Sequence, residues 1–173
     1  MNILAAFKPI KLFALDVDGV LTDGSLLLMN DGQMVRRMNI KDGYALQLAI
    51  KKGYKVLVIS GGNSEAVKLR LEKLGVKEVF MGVLNKPEVL RQFMQVNSLE
   101  KHQVLYMGDD MPDLQVMQLA GLPCCPSDAV AEIRDLSGYI SPVKGGEGCV
   151  RDIIEKVLKL NGDWNDDGTT PSR

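Results

Sequence analysis

The sequence predicts an α/β fold: a three-layer, Rossmann-like parallel sheet with helices on both faces and one projecting β-hairpin. Three observations carry that expectation. Short apolar runs alternate with stretches of helical period, the pattern of a parallel sheet covered on both sides. Acids, hydroxyls and glycines fall directly after several of those runs, at the strand ends where open α/β sheets bind ligands. A length of 173 residues, 46% hydrophobic and 25% charged, suits one domain of ordinary globular composition.

Taken in order, Lys11 to Val17 reads as the first strand. From Gly24 to Ile40, two extended arms flank Asp31-Gly32, which marks a tight hairpin turn. The first arm, Leu26 to Met29, is apolar on both faces, so it is either an extra core strand or a surface made for a partner. Asp42 to Lys52 carries Tyr44, Ala45, Leu48 and Ala49 on one helical face and stops at Gly53. Tyr54 to Ser60 follows as a strand, Ser64 to Leu74 as a helix striped by Val67, Leu71 and Leu74, and Glu78 to Met81 as a strand. Pro87 and Pro112 open the helices Glu88 to Val96 and Asp113 to Ala120, each in the first turn, where proline is tolerated. Strands Val104 to Gly108, Gly121 to Cys125 and Tyr139 to Ser141, then a helix from Gly148 to Leu160, complete the set. Residues 1–160 are expected as one domain, and 161–173, which lack a period and are rich in Gly, Asp and Thr, as a flexible tail. The single tryptophan, Trp164, falls in that tail, away from the core of its own domain.

Composition excludes several function classes. Lys plus Arg number 21 against 22 Asp plus Glu, a net charge of -1, so nothing in bulk charge draws the chain to nucleic acid or to an anionic membrane surface. No apolar run approaches the roughly 20 residues that span a bilayer. The N-terminus lacks the basic run, long apolar region and cleavage site of a secretion signal, which makes a cytoplasmic location the expectation. Three cysteines form neither a disulfide framework nor a zinc knuckle, and His102, the one histidine, sits in a polar surface stretch. A histidine-based zinc site or a Ser-His-Asp triad has almost no raw material.

The chemistry-bearing residues lie at four strand ends. Asp16-Val17-Asp18-Gly19 places two carboxylates one residue apart where a buried-type strand runs out; Asp-X-Asp-Gly is also ordinary turn chemistry. Ser60-Gly61-Gly62 offers a hydroxyl and backbone N–H groups to an anion, although Ser60 suits a helix cap equally well. Lys86 stands at the start of a helix, where the macrodipole disfavours a cation unless an anion is near; a solvated surface lysine is the plainer reading. Gly108-Asp109-Asp110-Met111-Pro112-Asp113 carries three acids, more than any capping need. With Asp16 and Asp18 they would repel strongly without a cation, and hard oxygen ligands beside a phosphate site favour Mg²⁺.

In this order and on these strand ends, Asp16-Val17-Asp18-Gly19-Val20, Ser60, Lys86 and Gly108-Asp109-Asp110-X-X-Asp113 resemble the four motifs of the haloacid dehalogenase superfamily of phosphatases. Gly19-Val20-Leu21-Thr22-Asp23-Gly24, Lys41-Asp42-Gly43 and Gly145-Gly146-Glu147-Gly148 are similar to its small capless subgroup. Spacing agrees with the absence of a cap domain: the 42 positions from Asp18 to Ser60 are used by the hairpin and one helix, and the 26 from Ser60 to Lys86 by one helix and one strand. The resemblance implies a homotetramer in which neighbours' hairpins and tails cover the site. It implies that Asp16 is the nucleophile and Asp18 the general acid and base, the latter needing the higher pKa. Mg²⁺ would rest on Asp16, the Asp18 backbone carbonyl and Asp109, with Asp110 and Asp113 behind them, while Ser60 and Lys86 hold phosphoryl oxygens.

The implied substrate is an 8-phosphorylated, eight-carbon 2-keto-3-deoxy sugar acid, a lipopolysaccharide precursor, or the nine-carbon 9-phosphate of the sialic-acid type. Gly61, Gly62, Asp42 and Arg70 are the expected substrate-binding residues, with Arg70 meeting the sugar carboxylate. Gly62 stands where the eight-carbon enzymes often carry Arg and the nine-carbon enzymes tend to carry Glu, so position 62 does not choose between them. A receiver-like regulatory module also gathers acids and a lysine on strand ends, but it separates its paired acids from its phospho-accepting aspartate, unlike Asp16 and Asp18. A non-catalytic regulator on the same fold sits poorly with the full set of acids.

Overall fold

The apolar runs assemble as the pattern demands. The structure, a computed structural model, describes residues 3–171. After a short helix α1 (Ile3–Phe7) comes β1 (Leu12–Leu15), followed by the hairpin strands β2 (Leu27–Leu28) and β3 (Met34–Val35) and helix α2 (Ile40–Lys51). Then follow β4 (Lys55–Ile59), α3 (Glu65–Lys73), β5 (Glu78–Phe80), α4 (Lys86–Val96), β6 (Val104–Met107), α5 (Leu114–Met117), β7 (Leu122–Cys125), α6 (Ala131–Leu136), β8 (Tyr139–Ile140) and α7 (Cys149–Asn161). Six strands pair in parallel in the order β5-β4-β1-β6-β7-β8. β1 therefore sits in the middle, and chain order reverses about it, so its carboxyl end opens on the crevice where such sheets bind ligands.

Strand alternation divides the core between the two faces. Phe13 and Leu15 of β1 point with Val56 and Val58 toward α2, α3 and α7; Leu12 and Ala14 point with Leu57 and Ile59 toward α4, α5 and α6. Because both faces are covered, β1 is buried at every position, which is why its sequence shows no polar alternation. α2 packs on α7 as well as the sheet, so burial spreads beyond the expected stripe to Asp42, Gly43 and Leu46, while Tyr44 is only partly covered.

Three expectations change here. The helix expected over Asp113 to Ala120 is four residues of α-helix after a 3₁₀ turn at Met111–Asp113, because Leu119 and Ala120 bond back three residues and close the helix early. The hairpin itself turns at Asp31-Gly32 as expected, in a three-residue loop, Asn30-Asp31-Gly32, with Gly32 at φ +86°, closed by Gly32 N–H donating to Met29 O and Met29 N–H to Gln33 O. β2 and β3 pair only with each other, which removes the reading of an extra core strand; Leu27 is 64% and Leu28 71% exposed.

The third change concerns the C-terminal segment. Residues 163–171 return along α2, while 172–173 lie outside the described residues. Tyr54 OH donates to Asp163, Tyr44 OH to Asp166 at 3.0 Å, Lys51 to Asp167, Lys52 to Asn165, and Gln47 Nε2 to Pro171 O. Trp164 packs against the core cluster, edge-on to Tyr44 with the Arg151 guanidinium over its ring, so it joins its own domain after all. Polar partners on α2 and in the turn after it supply what the segment's own apolar content cannot. No helix of the described residues is long and apolar enough to cross a membrane.

Candidate active site

The strand tips converge on a cleft of about 330 Å³ lined by Asp16, Asp18, Ser60, Gly61, Gly62, Lys86, Asp109, Asp110 and Pro112. β1 stops at Leu15, and Asp16 N–H still donates to Met107 O, which fixes the acid at the tip. Beyond it, Val17 O accepts from the N–H groups of Val20, Leu21 and Thr22, and Thr22 Oγ1 accepts from Gly19 and Gly24. This tight knot turns the chain away and leaves the Asp16 carboxylate at the cleft floor, 8% exposed. Gly19 is required by contact: a Cβ there would stand 1.9 Å from Asp109 Oδ2. Gly145 serves the same knot from behind, since its Cβ would meet Gly19 O at 1.9 Å. The Gly145-Gly146-Glu147-Gly148 run is thus backbone packed on backbone, held by Gly146 N–H donating to Val20 O.

Lys86 ties the site together. Its Nζ lies 3.0 Å from Asp16 Oδ1 and 2.8 Å from Asp113 Oδ1, and the residue is 4% exposed, so the reading of a solvated lysine is excluded. Asp113 is fully buried; its Oδ1 also accepts from Tyr106 OH and its Oδ2 from Asp109 N–H. Oxygens of Asp16, Asp109 and Asp113 fall within 4.8 Å of one another, as a cation site needs. With both its oxygens already engaged, Asp113 orients Lys86 and the Asp109 backbone, leaving Asp16 and Asp109 as the open donors. Asp110 is exposed at the rim and accepts from Met111 N–H. Ser60 is buried with Oγ accepting from Gly62 N–H, while the helix cap is taken by Ser64, which accepts from Val67 N–H.

Two expected substrate residues lie elsewhere. Asp42 does not line the cleft: it is 2% exposed, and its Oδ1 accepts from Arg151 N–H at 2.7 Å, capping the first turn of α7. Neighbouring Gly43 makes room for Arg70, whose Nη2 a Cβ would meet at 3.0 Å. Arg70 lines a separate groove of about 650 Å³ between the hairpin and α3, shared with Met34, Arg36 and Asn63. Arg36 is the residue the sequence reading missed. It grips Asp18, Nε to Oδ1 at 2.7 Å and Nη2 to Oδ2 at 3.2 Å. Its only signal in sequence is a basic pair, Arg36-Arg37, inside an otherwise apolar arm.

Crowding shows in the proton affinities. Burial pushes Asp16 up to about 8, with Asp113 adding to the rise and Lys86 opposing it. Burial likewise pushes Asp109 up to about 7, helped by Asp113 and Asp110. Lys86 stays above its ordinary range because Asp16 and Asp113 outweigh its desolvation. Acids whose folded pKa exceeds the ordinary 3.8 hold protons that the unfolded chain has already released, so folding loses free energy as pH rises from about 4 to about 8. A divalent cation favours the ionised forms and opposes that loss. Chelator-treated protein is therefore expected to melt lower at pH 8 than at pH 5, with millimolar magnesium raising the midpoint more at pH 8. A magnesium effect equal at both pH values would contradict a cation among these acids.

Comparison with known proteins identifies the family. The haloacid dehalogenase-like hydrolase family matches residues 41–126. Over 161 residues the chain is 30% identical to 3-deoxy-D-manno-octulosonate 8-phosphate phosphatase KdsC of Escherichia coli K12, covering 93% of this chain and 86% of that protein. The chain belongs to the haloacid dehalogenase-like hydrolases. Among solved structures, a probable YrbI family phosphatase of Pseudomonas syringae superposes with a TM-score of 0.90 at 36% identity, covering 94% of this chain and 92% of that one. The 3-deoxy-D-manno-octulosonate 8-phosphate phosphatase of Moraxella catarrhalis, solved with magnesium, phosphate and the sugar acid, gives 0.90 at 32% identity over 94% of each chain. As a member of this family the protein is a phosphoric monoester hydrolase, and the parallel α/β sheet is the family's fold.

Proposed function

We propose that the chain hydrolyses the 8-phosphate of 3-deoxy-D-manno-octulosonate to the free sugar acid and inorganic phosphate through an aspartyl-phosphate on Asp16. The observation that carries this is the convergence of Asp16, Lys86 and Asp109 on one cleft at the tip of the central strand, in a chain 30% identical to a phosphatase named for that substrate. Asp16 Oδ attacks phosphorus in line, an O–P bond forms, and the bond to the sugar oxygen breaks. Asp18 delivers the proton that the departing oxygen needs, then receives one from the attacking water as the Asp16–phosphorus bond breaks, which restores both carboxyl groups. Lys86, Ser60 and the N–H groups of the Gly61-Gly62 loop hold phosphoryl oxygens during both transfers.

The donor set fits magnesium. Asp16 and Asp109 present hard oxygens at the cleft floor, the Asp18 backbone carbonyl is the third donor, and Gly19 lets the Asp109 carboxylate approach the knot. Bound there, the ion neutralises charge on the phosphoryl group and on its nucleophile. Among the described residues no element is inserted over the cleft, so a second copy would have to exclude water: the exposed apolar hairpin of Leu26 to Met29, Met34 and Val35 is the surface a homotetramer would cover.

A phosphate-release assay with magnesium, comparing the eight-carbon 8-phosphate and a nine-carbon keto sugar acid 9-phosphate, tests the reading. The eight-carbon substrate is expected to have the higher kcat/KM. Preference for the nine-carbon substrate would reassign the sugar, and no release from either would overturn the phosphatase reading of the cleft.

A further inference from the structure

The phosphoryl chemistry leaves Arg36 without a task, although it is among the most firmly held side chains near the cleft. It follows β3 on the returning arm of the hairpin, yet its side chain turns inward and is 6% exposed. Nε and Nη2 donate to the two oxygens of Asp18, and Nη1 donates to Met34 O at 2.9 Å. The guanidinium fits because position 62 is glycine: a Cβ there would stand 2.8 Å from Asp18 Oδ2 and 3.1 Å from Arg36 Nη2. The ion pair is thus the partition between the phosphate cleft, which Asp18 lines, and the larger hairpin groove, which Arg36 lines. That groove carries two arginines, Arg36 and Arg70, against one acid, Glu65, so it suits an anionic ligand.

With both of its oxygens held in the guanidinium fork, the Asp18 side chain cannot turn an oxygen toward a leaving group. Arg36 must therefore leave Asp18 before turnover, and what draws off a bidentate fork is another planar anion of the same geometry. Resting on the reading of the cleft as a phosphatase site, we propose that Arg36 is a specificity latch: it holds Asp18 in the free protein and passes to the substrate's own carboxylate, so that a phosphomonoester bearing a carboxylate frees Asp18 and a neutral one does not. Selection for a sugar acid over a neutral sugar phosphate then resides in the hairpin and not in the phosphate cleft.

The test is the ratio of kcat/KM for the eight-carbon keto acid 8-phosphate to that for glucose 6-phosphate, a neutral sugar phosphate, in wild type, R36Q and R36K. Taking the ratio cancels damage common to both substrates. R36Q is expected to lower it at least tenfold, about 1.4 kcal/mol, chiefly through KM for the acid. R36K should recover part of it, since an ammonium supplies charge without the fork. A ratio that falls by less than tenfold in R36Q, or a loss shared equally by both substrates, overturns the proposal. Should the wild type hydrolyse neither phosphate, the phosphatase reading fails instead, and calorimetric binding of the free eight-carbon keto acid decides Arg36 alone. There, a tenfold weaker affinity in R36Q supports the latch and a smaller change overturns it.

Discussion

Asp16→Asn is expected to lower kcat by a factor on the order of 10⁴ or more, the scale seen when a nucleophile is removed from an enzyme whose groups act as a unit. The amide matches the carboxylate in shape but cannot form the acyl phosphate. Stability should move the other way. Asp16 is buried against Asp113, and burial with that neighbour pushes its carboxyl up to about 8, so a neutral side chain relieves the crowding. The variant should melt no lower than wild type in the absence of metal. Activity retained within tenfold would show that Asp16 is not the attacking group.

Lys86→Met produces the opposite pairing of effects. Nζ bridges Asp16 and Asp113 from a site almost closed to solvent, so removing it leaves buried carboxylates facing one another with no counter-charge. Breaking a buried pair by deleting one partner costs about 3–5 kcal/mol, and at the lower end of that range a chain of this size loses roughly 6–12 °C of melting temperature. The phosphoryl oxygens lose a donor as well, so kcat should fall by roughly 10²–10³. Thermal melts and steady-state rates on the folded fraction separate the two losses. A stable Lys86→Met variant would mean that the lysine is placed for substrate alone.

Much of this could be read from sequence because chemistry and topology coincide in a parallel sheet. A strand buried on both faces has no reason to end in two acids, so Asp16 and Asp18 stand out, and the same holds for Asp109 after β6. Lys86 is less legible, since a lysine opening a helix is common; only its partners Asp16 and Asp113 show why it tolerates burial. Three features depended on tertiary contacts that local pattern does not encode. Asp42 lies beside a Gly and near basic residues, as a binding acid would, but its oxygen is used by the backbone of α7, more than a hundred residues away in sequence. Trp164 reads as stranded because its segment is polar, and the partners of that segment include side chains of α2. Arg36 sits on an exposed hairpin where a basic residue ordinarily means solvent, and the space it fills exists because residue 62 has no side chain. Asp16 and Asp18 also part company: strand alternation would aim both to one side, but the chain turns at Val17, sending Asp16 to Lys86 and Asp18 to Arg36.

The central claim is that Asp16, at the tip of β1, carries the phosphoryl group between two transfers. Rapid acid quench of the Asp18→Asn variant with substrate and magnesium, followed by peptide mass spectrometry, measures it directly. Slowed release of the phosphoryl group in that variant should leave the peptide containing Asp16 heavier by one phosphoryl, with fragmentation placing the increment on Asp16. Finding the increment on Asp109, Asp110 or Ser60, or recovering sugar and phosphate in burst amounts with Asp16 unmodified at every quench time, would contradict it.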